Sequence, residues 1–285
     1  MEKLCDLHTH STFSDGTFSP AQLIHEAQRV GLSAIALTDH NTVAGLPDFL
    51  CAAEGSGVEA VPGIEFSTDY QDVELHIVTL FVRPEHYAPI TEITDQMNQR
   101  KQESNLALIE NLNRAGYAID YETIKARMPS GEPNRALIAA ELTRLGYTAD
   151  NKEAFHTLLG KKCGYYHPPK RVDAFELIEF VDSLGLVSVL AHPYLSLKED
   201  SRLEEFLGPA AECGLRGMET RYPLFSDWQT QNLEAMVQRF NLAQSGGSDF
   251  HGENKPDIAL GTGKGSLKVP LTFLDGLRKN NRYNF

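Results

Sequence analysis

Long apolar runs are missing from this chain. No stretch approaches the ~18–20 residues needed to cross a bilayer, so membrane association is not expected. The opening Met1-Glu2-Lys3-Leu4-Cys5-Asp6 lacks the apolar core of a secretory signal, and a cytoplasmic location is expected. Cysteine is sparse: Cys5, Cys51, Cys163 and Cys213 lie far apart, with no Cys-x-x-Cys spacing. That excludes a zinc ribbon and reads as reduced thiols, mostly buried. Positive charge is also short, 26 Lys and Arg against 39 Asp and Glu, a formal net charge of −13. Long nucleic acids are held mainly through basic patches, so tight duplex binding is not expected. A small anionic substrate stays compatible, because bound cations invert the local field. The chain has no fixed-period repeat, no low-complexity tract, no phosphate-cradling P-loop and no Ser-His-Asp arrangement.

What is present is a βα rhythm over 285 residues, a length suited to one large α/β domain or a barrel with an inserted subdomain. Strands are expected over about 3–8, 33–37, 58–64, 75–82, 186–191, 216–220 and 241–244. Ser19-Pro20-Ala21-Gln22 has capping-box spacing with Pro at the first helical position, and Gly31 stops that helix. Further helices are expected over about 43–54, from the cap Asp173, over 203–213 and over 227–240. Between them, 87–160 reads as helices without strands, over 90–114, 121–127, 134–145 and 151–159. The expected division is a barrel over 1–86 and 161–285, with a helical insertion over 87–160 contributing to the substrate pocket. About seven parallel strands with outer helices predict an incomplete (β/α) barrel.

Imidazoles and carboxylates gather at the predicted strand ends. His8 and His10 stand two apart, and strand alternation puts both on one face. Asp15 lies in the loop just after, and His40, Glu65, His192, Asp249 and His251 each end or follow a strand. His76 is the exception, near a strand's beginning but close in sequence to Glu65. Six of the 10 histidines thus join three carboxylates at barrel-end positions. Nine such ligands suit two or three divalent ions, and Glu65 can bridge two of them. His25, His86, His156 and His167 fall outside the pattern and read as structural or surface residues. Asp6 and Asp39 can orient ligands, or can serve as caps and turn anchors.

Asp6-Leu7-His8-Thr9-His10-Ser11 with Ser14-Asp15-Gly16, Leu37-Thr38-Asp39-His40-Asn41-Thr42, Pro62-Gly63-Ile64-Glu65, Leu75-His76, Ala191-His192-Pro193 and Gly247-Ser248-Asp249-Phe250-His251 occur in this order. Together they resemble the PHP (polymerase and histidinol phosphatase) family over nearly the whole chain. Within it the greatest likeness is to bacterial phosphoesterases that hydrolyse nucleoside 3′,5′-bisphosphates, a subgroup with a helical insertion between the fourth and fifth strands. The resemblance implies an α/β fold, a distorted (β/α)7 barrel, with two or three divalent ions, manganese, iron or zinc. It assigns His8, His10, Glu65 and Asp249 to one ion, Glu65, His76 and His192 to a second, and Asp15, His40 and His251 to a third. It places Arg135, in Pro133-Asn134-Arg135-Ala136, as a phosphate-binding arginine, a role suited to a planar guanidinium. Asp15 and Tyr222 are the other expected substrate contacts. The chain departs from the family at two points. Members often read Glu-x-Tyr-His-Pro where this chain has Glu219-Thr220-Arg221-Tyr222-Pro223, so Tyr222 replaces a phosphate-contacting histidine. Arg221 is a candidate to restore the lost charge. Relatives also often carry Pro-His where this chain has Ala136-Leu137.

The expected reaction is hydrolysis of a phosphate monoester by a metal-bridging hydroxide, with His192 or His251 assisting proton transfer. The expected substrate is a small phosphorylated nucleotide, most of all a nucleoside 3′,5′-bisphosphate. Alternatives are 5′→3′ exonuclease action on short 5′-phosphorylated oligonucleotides, histidinol-phosphate hydrolysis, a non-catalytic metal-binding module, and hydrolysis of carbon–nitrogen bonds.

Overall fold

The structure is a computed structural model that describes residues 3–127, 133 and 135–280. The chain forms two compact units, one of residues 1–91 and 172–285, the other of residues 92–171. The expected insertion, 87–160, is shorter at its C-terminal end than the second unit.

The first unit contains β1 (Cys5–Asp6), β2 (Ala34–Leu37), β3 (Glu59–Tyr70), β4 (Val73–Leu80), β5 (Val172–Asp173), β6 (Val187–Leu190), β7 (Gly217–Arg221) and β8 (Ala243–Gly246). They pair in the order β1-β2-β3-β4-β6-β7-β8, with β5 on the outer end of β3. Beyond the strand ends, Leu7 N–H donates to Gly246 O at 3.2 Å, and Asp249 N–H donates to His8 O at 2.9 Å. These bonds bring the last strand against the first, giving a nearly closed barrel of seven strands.

The strands are not all parallel as expected. β4 runs antiparallel to both β3 and β6. The cause is the turn at Gln71 and Asp72, both with positive φ (51° and 63°). Two central residues in this conformation make a tight hairpin, and a parallel pair would need a far longer crossover. β3 also continues past the expected end at residue 64, and its last six residues pair with the start of β4. His76 therefore lies opposite Ser67, and its place early in β4 puts it at the barrel end where the parallel strands finish.

Local chemistry explains the helices that flank the sheet. Ser19 and Gln22 form the reciprocal capping box of helix Pro20–Val30, which ends on Gly31 at φ 78°. Asp173 caps helix Ala174–Ser183 through the amides of Phe175 and Glu176. A C-terminal helix, Leu271–Lys279, was not expected from the sequence. Its fully buried Leu274 and Leu277 join Cys5, Ala34, Val61, Val187 and Ala243 in one core cluster. Most of these residues begin their strands, so the helix seals the barrel end remote from the strand termini that carry the imidazoles.

The second unit has no strand among its described residues. Helix Pro84–Arg114 leads into it, followed by helices Tyr121–Lys125, Arg135–Arg144 and Asn151–Ala154 and a π-helical turn, Phe155–Leu159. Asn134, expected to start a helix, lies outside the described residues. Leu108, Leu112, Ile138, Leu142, Leu158 and Leu159 form the unit's own core. Among the described residues no helix is long and apolar enough to cross a membrane.

Candidate metal centre

The barrel end where the parallel strands finish holds nine imidazole and carboxylate side chains of types that can ligate metals. His8 and His10 leave β1, His40 follows β2, Glu65 stands in β3, and His76 comes from β4. His192 follows β6, and Asp249 and His251 follow β8. Asp15 arrives on the loop after His10. Tight backbone packing brings them together: a Cβ on Gly247 would lie 2.4 Å from His8 Cβ, and one on Gly16 would lie 2.2 Å from His10 O. Only glycine fits either position. Asn41, His192 and Asp249 have φ of 50°, 28° and 54°, a conformation costly for non-glycine residues. Backbone strain thus collects at the strand ends that aim these ligands.

Glu65 is the hub. Its Oε2 lies 3.1 Å from His8 Nε2, 3.2 Å from His10 Nε2 and 3.1 Å from His40 Nδ1. Its Oε1 lies 2.9 Å from His76 Nδ1 and 3.1 Å from His192 Nε2. Asp249 Oδ1 stands 3.3 Å from His10 Nε2 and 3.4 Å from His251 Nδ1, and Asp15 Oδ1 is 3.2 Å from His251 Nε2. Donor atoms within 4.8 Å of one another form four overlapping groups: His10, Asp15, His40 and His251; His8, His10 and Asp249; His8, Glu65 and His192; His40, Glu65 and His76. All nine expected ligands are therefore brought together. His76 and His192 share Glu65 Oε1 yet fall into different groups.

The electrostatics fit divalent cations. Burial opposes ionisation of Glu65, Asp15 and Asp249, yet the surrounding imidazoles hold all three carboxyls well below their ordinary range. Burial likewise disfavours charged rings, but the facing carboxylates carry His8 well above its usual value, His10 to about 9 and His76 to about 10. His40, where burial wins, is pushed down to about 3. His10 Nδ1, His40 Nδ1, His192 Nδ1 and Glu65 Oε2 are buried with no hydrogen-bond partner. Orphaned buried acceptors are costly. Three imidazole nitrogens crowding one such oxygen make a donor set suited to cations of the zinc, manganese or iron type.

Several neighbours hold this set in place. Asp39 accepts from Ser11 N–H at 2.7 Å, Ser11 Oγ at 2.6 Å and Ser14 Oγ at 2.7 Å, fixing the loop that carries Asp15. Asp6 accepts from Ser248 N–H, Ser248 Oγ and Gly261 N–H at 2.8, 2.5 and 2.8 Å, tying β1 to the loop after β8. Both aspartates anchor turns. Tyr222, expected to face phosphate, is buried and donates its hydroxyl to Asp249 Oδ2 at 2.8 Å. Arg221 does not supply the missing charge to the centre, because its guanidinium pairs with Glu234 and lies 5.8 Å from the Phe273 ring centre. Lys255, which the sequence reading passed over, brings Nζ to 2.6 Å from Asp249 Oδ2. Glu219 was also missed as a site residue. It is buried and reaches His8 Nδ1 at 2.8 Å. A carboxylate in the middle of a short predicted strand was the available signal for it; Lys255, in an irregular loop, offered none.

Arg135 lies in the second unit. Its guanidinium stands 4.2 Å from the Tyr166 ring centre, and Nη1 donates to Leu159 O at 3.4 Å.

Comparison with known proteins agrees with this geometry. A family model described as "PHP domain" matches residues 6–160. The chain is 31% identical over 251 residues to a 5′-3′ exoribonuclease of Haemophilus influenzae, covering 88% of this chain and 91% of that protein. It is 31% identical over 258 residues to a phosphoribosyl 1,2-cyclic phosphate 1,2-diphosphodiesterase of Eggerthella lenta, covering 87% and 94%. It is 25% identical over 256 residues to a 3′,5′-nucleoside bisphosphate phosphatase of Chromobacterium violaceum, covering 89% and 90%. A solved structure from Bifidobacterium adolescentis, described as a "putative metal-dependent phosphoesterase", superposes with a TM-score of 0.83 at 26% identity, covering 98% of this chain and 96% of that one. A barrel with a dense His/Asp/Glu cluster at its strand ends defines a metal-dependent hydrolase. The chain belongs to the PHP domain family and is a metal-dependent phosphoesterase.

Proposed function

We propose that this phosphoesterase hydrolyses a phosphate monoester of small phosphorylated nucleotides, nucleoside 3′,5′-bisphosphates foremost. The nine residues His8, His10, Asp15, His40, Glu65, His76, His192, Asp249 and His251 are its proposed ligands for two or three divalent ions. The observation that carries the reading is Glu65, whose two oxygens are ringed by five imidazoles. One such carboxylate can serve adjacent ions. When bound, they would lower the pKa of water, neutralise phosphoryl oxygens and stabilise the departing oxygen.

The chain's own residues bind, orient and manage protons. Asp15 has a side chain 25% exposed, the one carboxylate of the set open to an entering substrate. His251 Nδ1 faces the Asp249 carbonyl at 2.8 Å, an acceptor only, so that ring carries its proton there and presents Nε2 to the cluster. With an ion held at Nε2 beside Glu65, His192 would carry its ring proton on Nδ1. Arg135 stays in the proposal as a phosphate-binding group: its guanidinium lies over the Tyr166 ring and has donors besides the Nη1 that meets Leu159 O, a fork suited to an oxyanion.

A second reading, 5′→3′ exonuclease action on short oligonucleotides, is favoured by the likeness to the Haemophilus exoribonuclease. The test offers manganese- or zinc-loaded protein adenosine 3′,5′-bisphosphate, short 5′-phosphorylated oligonucleotides and a phosphoribosyl cyclic phosphate. Phosphate release with the highest kcat/KM on the bisphosphate supports the first reading. Mononucleotides from the oligonucleotides, with no phosphate from the bisphosphate, would select the second. Turnover of the cyclic phosphate alone would overturn both.

A further inference from the structure

Two ligands that leave different strands end on one carboxylate that belongs to none of the donor groups. Glu219, in β7, places Oε1 2.8 Å from His8 Nδ1 and accepts the His192 backbone N–H on Oε2 at 2.6 Å. His192 has φ 28° and ψ 57°, outside the regions that non-glycine residues ordinarily occupy. A charge-assisted bond to its amide offsets part of that strain. His8 and His192 are the two imidazoles of the group they form with Glu65. Among the described residues no other donor group has both its imidazole residues tied to a carboxylate that lies outside all four groups.

We propose that Glu219 is a positioning residue that controls the ion held by His8, Glu65 and His192. It does so in two ways. As a carboxylate it only accepts, so the His8 proton sits on Nδ1 and Nε2 is left to ligate. Through its other oxygen it fixes the strained backbone that aims His192. The inference rests on these residues being metal ligands, but not on which phosphoester is cleaved.

Glu219→Gln is the discriminating variant. The His192 N–H is a fixed donor, so the amide oxygen must face it and the amide NH2 must face His8 Nδ1. A donor at that position demands an acceptor, which moves the His8 proton to Nε2 and removes the ligating lone pair. Elemental analysis and zinc titration of the purified variant are expected to show one equivalent weakened by about 10–100-fold, the others retained. Nitrogen-15 spectra of the zinc-loaded wild type are expected to show His8 protonated at Nδ1, and those of the variant to lose that signal. Glu219→Ala, which leaves His8 Nδ1 without its partner, controls for folding through the Tm of the metal-free protein. Full zinc stoichiometry with affinity within twofold in E219Q, or an unprotonated Nδ1 in the wild type, would overturn the assignment. Equal weakening of every zinc equivalent would overturn it too. Loss of activity towards all phosphoesters with zinc binding intact would leave Glu219 no role in metal binding and would sink the inference, whatever the substrate proves to be.

Discussion

Asp249 shows how a side chain of the cluster is kept at its post. Its Oδ1 faces His8, His10 and His251, while Oδ2 takes the Tyr222 hydroxyl and Lys255 Nζ. The two outside donors leave one oxygen for the centre. Burial, reinforced by the neighbouring Asp249 charge, pushes the Tyr222 phenol far above its ordinary value, so it stays a donor at any working pH. Tyr222→Phe is expected to weaken zinc binding by roughly tenfold, the worth of about one hydrogen bond to a charged group. Zinc titration checks this. An unchanged zinc affinity with a raised KM would instead assign Tyr222 to the phosphate. The sequence marked Tyr222 as a departure, but its partner 27 residues away is a fact of the fold.

At the scale of elements, the β3–β4 hairpin decides most. Its turn lets His76 face the same cluster as Glu65, although one lies at a strand's beginning and the other within a strand. Gln71-Asp72 lacks the Asn-Gly or Asp-Gly signature of such turns, so periodicity alone favoured one more parallel strand. The helical unit has its own electrostatic element. Glu141, buried on helix Arg135–Arg144, pairs with Arg144 at 2.8 Å and with Arg127, and these bonds hold its carboxyl down to about 2. A depressed folded-state value means stability that is fully present above the unfolded value near 4.5 and is lost as pH falls toward 2. Glu141→Gln should therefore lower the Tm at pH 7 and flatten its fall between pH 5 and 2. Thermal melts across that range measure both effects. A variant whose acid dependence matched the wild type would remove Glu141 from the account.

At the scale of the molecule, the barrel has a working end and a sealed end. The C-terminal helix closes the sealed end with Leu274 and Leu277, and Leu277 packs so tightly that a Cβ on Gly217 would lie 2.7 Å from its Cδ2. Leu277→Ala should cost roughly 2–5 kcal/mol of stability. Zinc stoichiometry should be unchanged, because the cavity opens at the end opposite the ligands. A combined melt and metal analysis would separate the two effects. Loss of zinc in folded L277A would show that the ends are coupled.

The sequence by itself determined which residues form the cluster and their places along the chain: His-x-His after the first strand, Asp15, Thr38-Asp39-His40, Glu65, His76, His192 and Asp249-x-His251. It could do so because strand alternation and strand ends are local properties, readable from a few residues. Tertiary structure alone decided the direction of β4, the sealing helix, the commitment of Tyr222 to Asp249 and of Arg221 to Glu234, and the reach of Glu219 to both His8 and His192. Apart from the direction of β4, set by a turn without the usual hairpin signature, each of these is a contact between different elements of the fold. A side chain's partner there depends on strand register and barrel closure, which no short window of sequence contains.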